Sequence, residues 1–186
     1  MSSIILASGS PRRREILAEA QVDFEVIPFP ADEIHDPSMP LHLLCEENAR
    51  RKALAVAEKY PEALVIGADT LVYIDQTPLG KPQSQKEAHD TLARLSGRTH
   101  QVCTGVCIAQ GDQTECFHAV TEVVFKQLTD EVIRDYMGKV DVMDKAGSYA
   151  VQEHGDLIIQ EVRGDYNNVV GPVSYTHLTL PTIYSV

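Results

Sequence analysis

Hydrophobic and polar positions along this chain first alternate between strand-like and helix-like patterns. Short apolar runs predict buried strands at residues 3–7, 24–28 and 64–66. Residues 11–20 predict a helix, because Ser10 suits the N-cap and Pro11 the first helical position. Residues 40–60 predict a longer helix, because apolar residues recur there at three- and four-residue steps. These are Leu41, Leu44, Cys45, Ala49, Ala53 and Val56.

The second half of the chain is dominated by long strand patterns. Residues 71–79 predict a hairpin or extended turn, and a capping box at 84–87 opens a helix that stops before Gly97. Residues 99–109 and 114–125 predict paired strands. A short helix at 130–137 and a last strand at 156–162 follow. Alternating elements followed by long antiparallel strands indicate an α/β fold with a mixed sheet.

The predicted start of the first helix carries an unusual charge pattern. Arg12, Arg13 and Arg14 stand in its first turn, where the positive pole of the helix makes each cation cost roughly 0.3–1 kcal/mol. Backbone N–H groups, the hydroxyls of Ser8 and Ser10 and a guanidinium fork together suit a bound phosphate. The alternative is a basic surface turn, and this segment alone leaves both open.

Composition narrows the class of protein. The chain has 186 residues, of which 44% are hydrophobic and 23% charged, which is typical of one soluble globular domain. No segment has the apolar length that spans a bilayer and no leader pattern opens the chain, so we expect a cytoplasmic protein and no membrane partner. A net charge of −11 argues against binding long nucleic acid. Any phosphate site must therefore be confined to a small group of cationic residues.

The four cysteines are expected to be free thiols. Cys103 and Cys107 fall in one predicted strand, about 13 Å apart along it, which is too far for a disulfide. Cys45 falls in a helix and Cys116 in a separate strand. No Cys-x-x-Cys or paired histidines give zinc spacing.

Acidic residues suggest a second functional feature. Asp69 follows the predicted strand 64–66, and ligands of α/β sheets bind beyond the carboxyl ends of strands. A carboxylate there can hold a divalent metal or orient water, although a turn-forming aspartate is equally compatible. Glu33, beside Asp32 in a proline-flanked loop, could add a second ligand, but a solvated acidic loop is the simpler interpretation.

Two lysines and one glutamine complete the candidates. Lys52 lies on the long helix and Lys81 follows Gly80, and each taken alone is most simply a solvated cation. Gly80-Lys81 lacks the spacing of a P-loop, which removes the commonest kinase and ATPase chemistry. The side-chain amide of Gln152 could read a base edge, with a plain polar surface residue as the alternative.

Taken in order, these segments resemble the signatures of the Maf family of nucleotide pyrophosphatases. The similarity covers nearly the whole chain, to about Gly171. It implies a Maf/ITPase-like α/β fold, an elongated mixed β-sheet flanked by helices with two lobes and a cleft between them. The matching segments are Ser8-Gly9-Ser10-Pro11-Arg12-Arg13, Gly67-Ala68-Asp69-Thr70, Gly80-Lys81-Pro82, Ser96-Gly97-Arg98-Thr99-His100, Asp144-Lys145-Ala146-Gly147 and Asn167-Asn168-Val169-Val170-Gly171.

The same resemblance implies an activity and assigns roles. It implies hydrolysis of a nucleoside triphosphate to the monophosphate and pyrophosphate with a divalent metal, Mg²⁺ or Mn²⁺. Asp69 would be the proton acceptor or a metal ligand, with Glu33 as its metal-binding companion. A phosphate cradle would be formed by Ser8, Ser10, Arg12, Arg13, Lys52 and Lys81. The residues Arg12, Thr70 and Gln152 match the specificity positions of the branch acting on dTTP and UTP, and the segment Lys145-Ala146-Gly147-Ser148-Tyr149 is similar to that branch.

The resemblance leaves an alternative function and the oligomeric state open. Family members are also associated with restraint of cell division, so the alternative function is a nucleotide-binding regulator of division or septation that acts through a protein partner. The expected ligand is a nucleoside triphosphate, and a homodimer is an open alternative to a monomer. We interpret residues 1–173 as one domain and 174–186 as an atypical tail, which a frame or assembly error in the sequence would explain, because it lacks charged residues and helical periodicity.

Overall fold

A single mixed sheet organises the protein. The computed structural model describes residues 3–29, 32–34, 36 and 38–170, so the predicted tail at 174–186 lies outside the described residues. The strands are β1 (Ile4–Leu6), β2 (Glu25–Val26), β3 (Leu64–Ile74), β4 (Thr77–Leu79), β5 (Thr99–Gln110), β6 (Gln113–Phe125) and β7 (Ile159–Arg163). The helices are α1 (Pro11–Glu19), α2 (Leu41–Ala57), α3 (Gln85–Leu95), α4 (Asp130–Lys139) and α5 (Tyr166–Val170).

The strand order of the sheet reverses at β1. The sheet runs β2-β1-β3-β5-β6-β7, with β4 paired to β3. The strands β2, β1 and β3 are parallel to one another, and the remaining pairs are antiparallel. Because the chain leaves β1 towards β2 on one side and returns as β3 on the other, the strand order reverses at β1. Ligands of open α/β sheets bind beyond such a reversal.

Helices cover both faces of the sheet, and flanking helices are what the family resemblance implied. On one face, residues of α1, α3 and α4, such as Leu17 and Leu92, share one hydrophobic core with even-numbered residues of β3 such as Ile66. On the other face, α2 packs through Ala49 and Ala53 against Val65. The mixed α/β architecture with flanking helices is therefore confirmed.

Gly67 and Gly105 let α2 lie directly on the sheet. A Cβ atom at Gly67 would stand 2.4 Å from the Ala49 carbonyl oxygen, and one at Gly105 would stand 2.3 Å from the carbonyl carbon of Cys45. Real side-chain atoms do not approach backbone so closely, so only glycine fits at either position. This contact brings the polar side of α2 close to the middle of β3.

The prediction of a strand ending at residue 66 was wrong. β3 continues through Asp69 to Ile74, so Asp69 lies within a strand and pairs with Gly105 of β5. β1 ends opposite Ile66, and β4 covers the same edge of β3 only from Val72 onwards. In the described part of the chain, no strand covers the β3 edge at residues 67–71, and Asp69 stands beside this opening.

The last strand differs from its prediction, whereas the state of the cysteines agrees with theirs. The last strand begins at Ile159 rather than at 156, because His154 adopts a left-handed conformation and a 3₁₀ turn follows at Gly155–Leu157. The cysteines are free as predicted, with Cys116 half-buried and the other three buried. None of the described helices has the length and apolar character required to cross a membrane.

Candidate active site

Asp69 and Lys52 form the centre of the site. Odd-numbered residues of β3 face α2, so the Asp69 carboxylate points to the helix that carries Lys52. The Lys52 Nζ atom lies 2.7 Å from Asp69 Oδ1 and 2.7 Å from Glu33 Oε1. Asp69 is only 4% exposed, whereas the Glu33 side chain is 41% exposed. One ammonium group thus joins a buried carboxylate to a carboxylate at the surface.

Asn48 contacts both the Asp69 carboxylate and the loop that carries Glu33. It lies on α2 one turn before Lys52 and is 1% exposed. Its Nδ2 donates to Asp69 Oδ2 at 3.2 Å, and its Oδ1 accepts the Ile34 N–H at 2.7 Å. The loop that carries Glu33 is therefore tied to the same side chain that holds Asp69. Sequence reasoning missed Asn48, and its only signal was a polar residue on the buried face of the α2 pattern.

Arg13 joins the end of β1 to the middle of β3. Its Nη1 donates to Ser8 Oγ at 3.0 Å and to the Ala68 carbonyl at 2.8 Å, and its Nη2 donates to Thr70 Oγ1 at 3.1 Å. The Ala68 carbonyl lies on the open edge of β3, so Arg13 occupies part of that opening. Burial lowers the pKa of Arg13, and the nearby Asp69 charge opposes this shift. Arg13 is therefore a fixed cation close to Asp69.

Thr70 is held in place by two partners. Its hydroxyl meets Arg13 and also lies 2.9 Å from the hydroxyl of Thr104 on β5. Thr104 is 1% exposed and was not anticipated from the sequence. These two contacts fix the orientation of the Thr70 hydroxyl.

The start of α1 has the features of an anion site. Ser10 is the N-cap residue, its side chain makes no capping hydrogen bond, and the first turn contains no acidic residue. Its backbone N–H donates to Ser8 Oγ at 3.3 Å. Both serines therefore stand at the positive end of the helix, where an anion is favoured.

A second group of cations surrounds Asp144. The carboxylate of Asp144 accepts a hydrogen bond from Lys81 Nζ. This bond lowers the pKa of Asp144, with further contributions from the charges of Lys145 and Arg12. Arg12, at the start of α1, therefore lies close enough to join this group, while its neighbour Arg13 belongs to the Asp69 group. Asp144 lies in a segment that the sequence singled out, but its pairing with Lys81 was not foreseen.

A backbone contact holds this second group against the sheet. The Gly147 N–H donates to the Gly80 carbonyl at 3.2 Å, next to Lys81. Lys145 is 8% exposed, and its Nζ donates to the Asp141 carbonyl at 2.8 Å and pairs with Glu153. The positions of Lys81 and Lys145 thus depend on the same short segment.

Gln152 stands apart from these contacts. It lies in the turn at 151–154 and its side chain is exposed. The contacts found in the described residues do not connect it to Asp69 or to Asp144. Its predicted role in reading the base stays a prediction. The other predicted site residues come together in the two groups or at the start of α1, and these are Ser8, Ser10, Arg12, Arg13, Glu33, Lys52, Asp69, Thr70 and Lys81.

The donor set fits a metal that is shared with a substrate. No group of three or more His, Cys, Asp or Glu side chains in the described ranges is arranged to hold a metal ion. Glu33 and Asp69, however, both direct an oxygen at the position of one cation, the Lys52 ammonium. Mg²⁺ is usually bound by one or two carboxylates together with water and substrate phosphates, rather than by an all-protein cage. Two converging carboxylates meet that requirement.

The sequence matches one known protein family and is similar to several named proteins. The profile of the family described as Maf-like protein matches residues 3–180. A protein of Akkermansia muciniphila named dTTP/UTP pyrophosphatase is 52% identical over 168 residues, covering 90% of this chain and 89% of the relative. A protein of Bacillus cereus strain AH187 with the same name is 46% identical over 176 residues, covering 94% and 92%. The solved structure of the Staphylococcus aureus Ham1 protein matches with a TM-score of 0.49 and 17% identity, covering 67% of this chain and 72% of that chain.

Proposed function

Because the chain belongs to the Maf family, we propose that it hydrolyses dTTP and UTP to the nucleoside monophosphate and pyrophosphate. The observation that carries this proposal is the Asp69–Lys52–Glu33 arrangement beside the open edge of β3, with separate cations around Asp144. A triphosphate needs cations along its length and a base near the phosphorus that is attacked. The two groups meet both needs.

Asp69 is the proposed proton acceptor. It is buried, it is held by Asn48 and Lys52, and its carboxylate stands where the sheet edge is open. A water molecule between Asp69 and the α-phosphorus would transfer its proton to the carboxylate as the new P–O bond forms. Lys52 orients the carboxylate and offers positive charge to the phosphate oxygens. The leaving group is pyrophosphate, whose charge requires separate stabilisation.

The proposed cradle for the leaving phosphates is formed by α1 and the Asp144 group. The start of α1 directs the serine hydroxyls and the positive pole of the helix at the end of β1. Lys81 pairs with Asp144, and the charges of Lys145 and Arg12 also act on this carboxylate, so this group has more positive than negative charge to offer a polyanion. The phosphates would thus lie across the start of α1, with the α-phosphorus nearest Asp69.

Glu33 and Asp69 are the proposed metal ligands. When bound, Mg²⁺ or Mn²⁺ would neutralise triphosphate charge and polarise the phosphorus that is attacked. Glu33 is more exposed than Asp69 and stands on the solvent side of the pair. Lys52, which contacts both carboxylates, would supply positive charge to the phosphate oxygens.

Product analysis in isotopically labelled water tests this function. With dTTP or UTP and Mg²⁺ or Mn²⁺, hydrolysis in H₂¹⁸O should give unlabelled pyrophosphate and a monophosphate that carries the ¹⁸O, because water attacks the α-phosphorus. Release of orthophosphate and a nucleoside diphosphate would contradict the proposal. Saturable binding of dTTP without turnover at any metal concentration would favour the regulator of cell division instead. A homodimer and a cytoplasmic location stay predictions.

A further inference from the structure

A pair of cysteines lies directly across two antiparallel strands, away from the site described above. Cys107 of β5 is the register partner of Cys116 of β6. Directly opposite residues in an antiparallel pair have Cα atoms about 4.5 or 5.5 Å apart. Both values lie within the range that a disulfide spans, which is about 4.4–6.8 Å. The backbone therefore already has the spacing that a cross-link needs.

The two thiols belong to the same packed cluster. Cys107 Sγ donates to the Ile108 carbonyl at 3.9 Å, and Cys116 packs against the cluster that contains Cys107. Both side chains point towards α2, where Cys107 is buried among Ala49 and Ala53 and Cys116 packs at the margin of the same cluster. Because the two side chains lie on the same face of paired strands, a bond between their sulfur atoms requires only a local movement.

Only one of the two sulfur atoms can be reached from solvent. Cys107 is fully buried, whereas Cys116 is half-buried and lines a surface groove of 360 Å³. The groove is also lined by Ile34, Met39 and Leu43, and by charged residues of α2. A small molecule that enters the groove meets Cys116 first, with Cys107 directly behind it.

The electrostatic surroundings favour the exposed thiol as the nucleophile. The interaction with the neighbouring Cys107 thiol lowers the pKa of Cys116, and the nearby Arg50 acts in the same direction. Burial and the charges of Glu46 and Glu47 oppose this shift. The pKa of Cys107 is raised, first by its interaction with the Cys116 thiol and then by burial. Thiolate character thus concentrates on the sulfur that faces the groove.

We propose that Cys107 and Cys116 form a redox-active dithiol, which low-molecular-weight disulfides oxidise to a cross-strand disulfide. The Cys116 thiolate attacks one sulfur of the small disulfide, forms a mixed disulfide and releases one small thiolate, which takes up a proton. Cys107 then loses its proton and attacks the Cys116 sulfur, which releases the second small thiol. Two electrons pass from the protein dithiol to the small disulfide, which leaves as two thiols.

The other two cysteines provide an internal comparison. Cys45 of α2 and Cys103 of β5 are both 0% exposed, and Cys45 Sγ donates to the Cys103 carbonyl at 3.4 Å. The hydrogen bond with Cys103 and burial raise the pKa of Cys45. Neither thiol faces the groove, so this pair should stay reduced under conditions that oxidise Cys107 and Cys116.

Mass spectrometry of the full chain tests the proposal with glutathione disulfide as the probe. The folded protein should lose two hydrogen masses, and peptide mapping after alkylation should show Cys107 linked to Cys116, with Cys45 and Cys103 alkylated once the chain is unfolded. Dithiothreitol should reverse the change. The Cys107→Ala variant should instead stop as a glutathione adduct of Cys116, because the resolving thiol is missing.

Two variants separate this dithiol from general thiol reactivity. Cys116→Ser, at a half-exposed position, should gain neither a disulfide nor an adduct, whereas Cys45→Ala should form the cross-link as the unchanged protein does. A stable glutathione adduct on Cys116 in the unchanged protein, with Cys107 still free, would overturn the proposal. So would a disulfide that joins Cys45 to Cys103, or a folded protein whose four thiols all stay reduced.

Discussion

The ammonium group of Lys52 lies 2.7 Å from Asp69 Oδ1 and is equally close to Glu33, so one side chain of α2 links a buried carboxylate of β3 to a surface loop. Breaking a buried ion pair by removing one partner leaves the other charge without compensation. Changes at Asp69 must therefore be designed to keep the shape of the site. Asparagine keeps the shape and removes the charge.

Asp69→Asn should lower kcat for dTTP by at least about a hundredfold, because the amide cannot accept the proton of water and lacks the negative charge that attracts a divalent cation. Steady-state kinetics on the folded variant measures this effect. Asp75→Asn is the matched control, since Asp75 is an exposed carboxylate paired with Arg98 in the turn after the same strand. Near-normal turnover by a folded Asp69→Asn protein would remove Asp69 from the catalytic role.

Lys81→Ala should raise KM for dTTP by about tenfold or more, because a charge-assisted hydrogen bond to a phosphate contributes roughly 1.5–3 kcal/mol. Lys86→Ala is a close control, since Lys86 is also an exposed lysine paired with one aspartate, Asp90. That variant should leave KM and kcat unchanged. Equal kinetic effects of the two changes would show that Lys81 acts only through net charge.

Gln152→Ala should weaken the preference for dTTP over purine nucleotides more than it lowers total activity. A side-chain amide can pair with the carbonyl and N–H of a thymine or uracil edge, and losing that pair costs roughly 1–3 kcal/mol of discrimination. Gln113→Ala, at an exposed position of β6, is the control. An unchanged ratio of kcat/KM values would make Gln152 a plain surface residue.

The sequence predicted α2, β5, β6 and the start of α1 well, because each has a strong local pattern. It failed at residues 67–69, where glycine and aspartate are typical of a turn. In the structure, Gly67 lies within β3, where α2 packs so closely that no side chain fits. Asp69 also lies within β3, because Lys52 and Asn48 bind its carboxylate. Contacts that are distant in sequence thus override the local preference.

The same limit explains which parts of the site were missed. The Asp69 cluster depends on Asn48, whose partners Ile34 and Asp69 are 14 and 21 residues away along the chain. The sequence around Asn48 gives no sign that its side chain contacts both the Asp69 carboxylate and the loop that carries Glu33. The proposed anion site at the start of α1 could be predicted because cations at a helix N-terminus conflict with the helix dipole.

His100 gives the protein a defined dependence of stability on pH. It is 2% exposed, its Nε2 lies 2.7 Å from the Tyr149 hydroxyl, and burial lowers its pKa from the usual 6.5 to about 4. Between these two values the unfolded chain binds a proton that the folded chain does not. The free energy of unfolding should therefore have its full value above pH 6.5. It should fall by about 3 kcal/mol as the pH drops to about 4.

Urea unfolding at a series of pH values measures this effect. His100→Gln should flatten the curve in that window, whereas His154→Asn, at an exposed position, should leave it unchanged. The aspartates whose pKa values are lowered by neighbouring cations, such as Asp144, lose their contribution only as the pH falls further. A slope in the His100→Gln variant equal to that of the unchanged protein would show that His100 does not cause the dependence.

Gly67→Ala should disturb the site without touching any of its side chains. The added Cβ would lie 2.4 Å from the Ala49 carbonyl oxygen and 2.7 Å from the Ala53 nitrogen, and both atoms belong to the backbone of α2. The helix must therefore move away from β3, and it takes Asn48 and Lys52 away from Asp69. We expect the free energy of unfolding to fall by about 1–3 kcal/mol, as for other overpacked cores, and kcat to fall with it.

Gly138→Ala is the control, because no atom lies within 4 Å of its added Cβ and alanine favours the helix α4. That variant should be as stable as the unchanged protein or more so, with normal kcat. Normal stability and kcat in Gly67→Ala would mean that α2 does not need to lie directly on β3 to position Lys52.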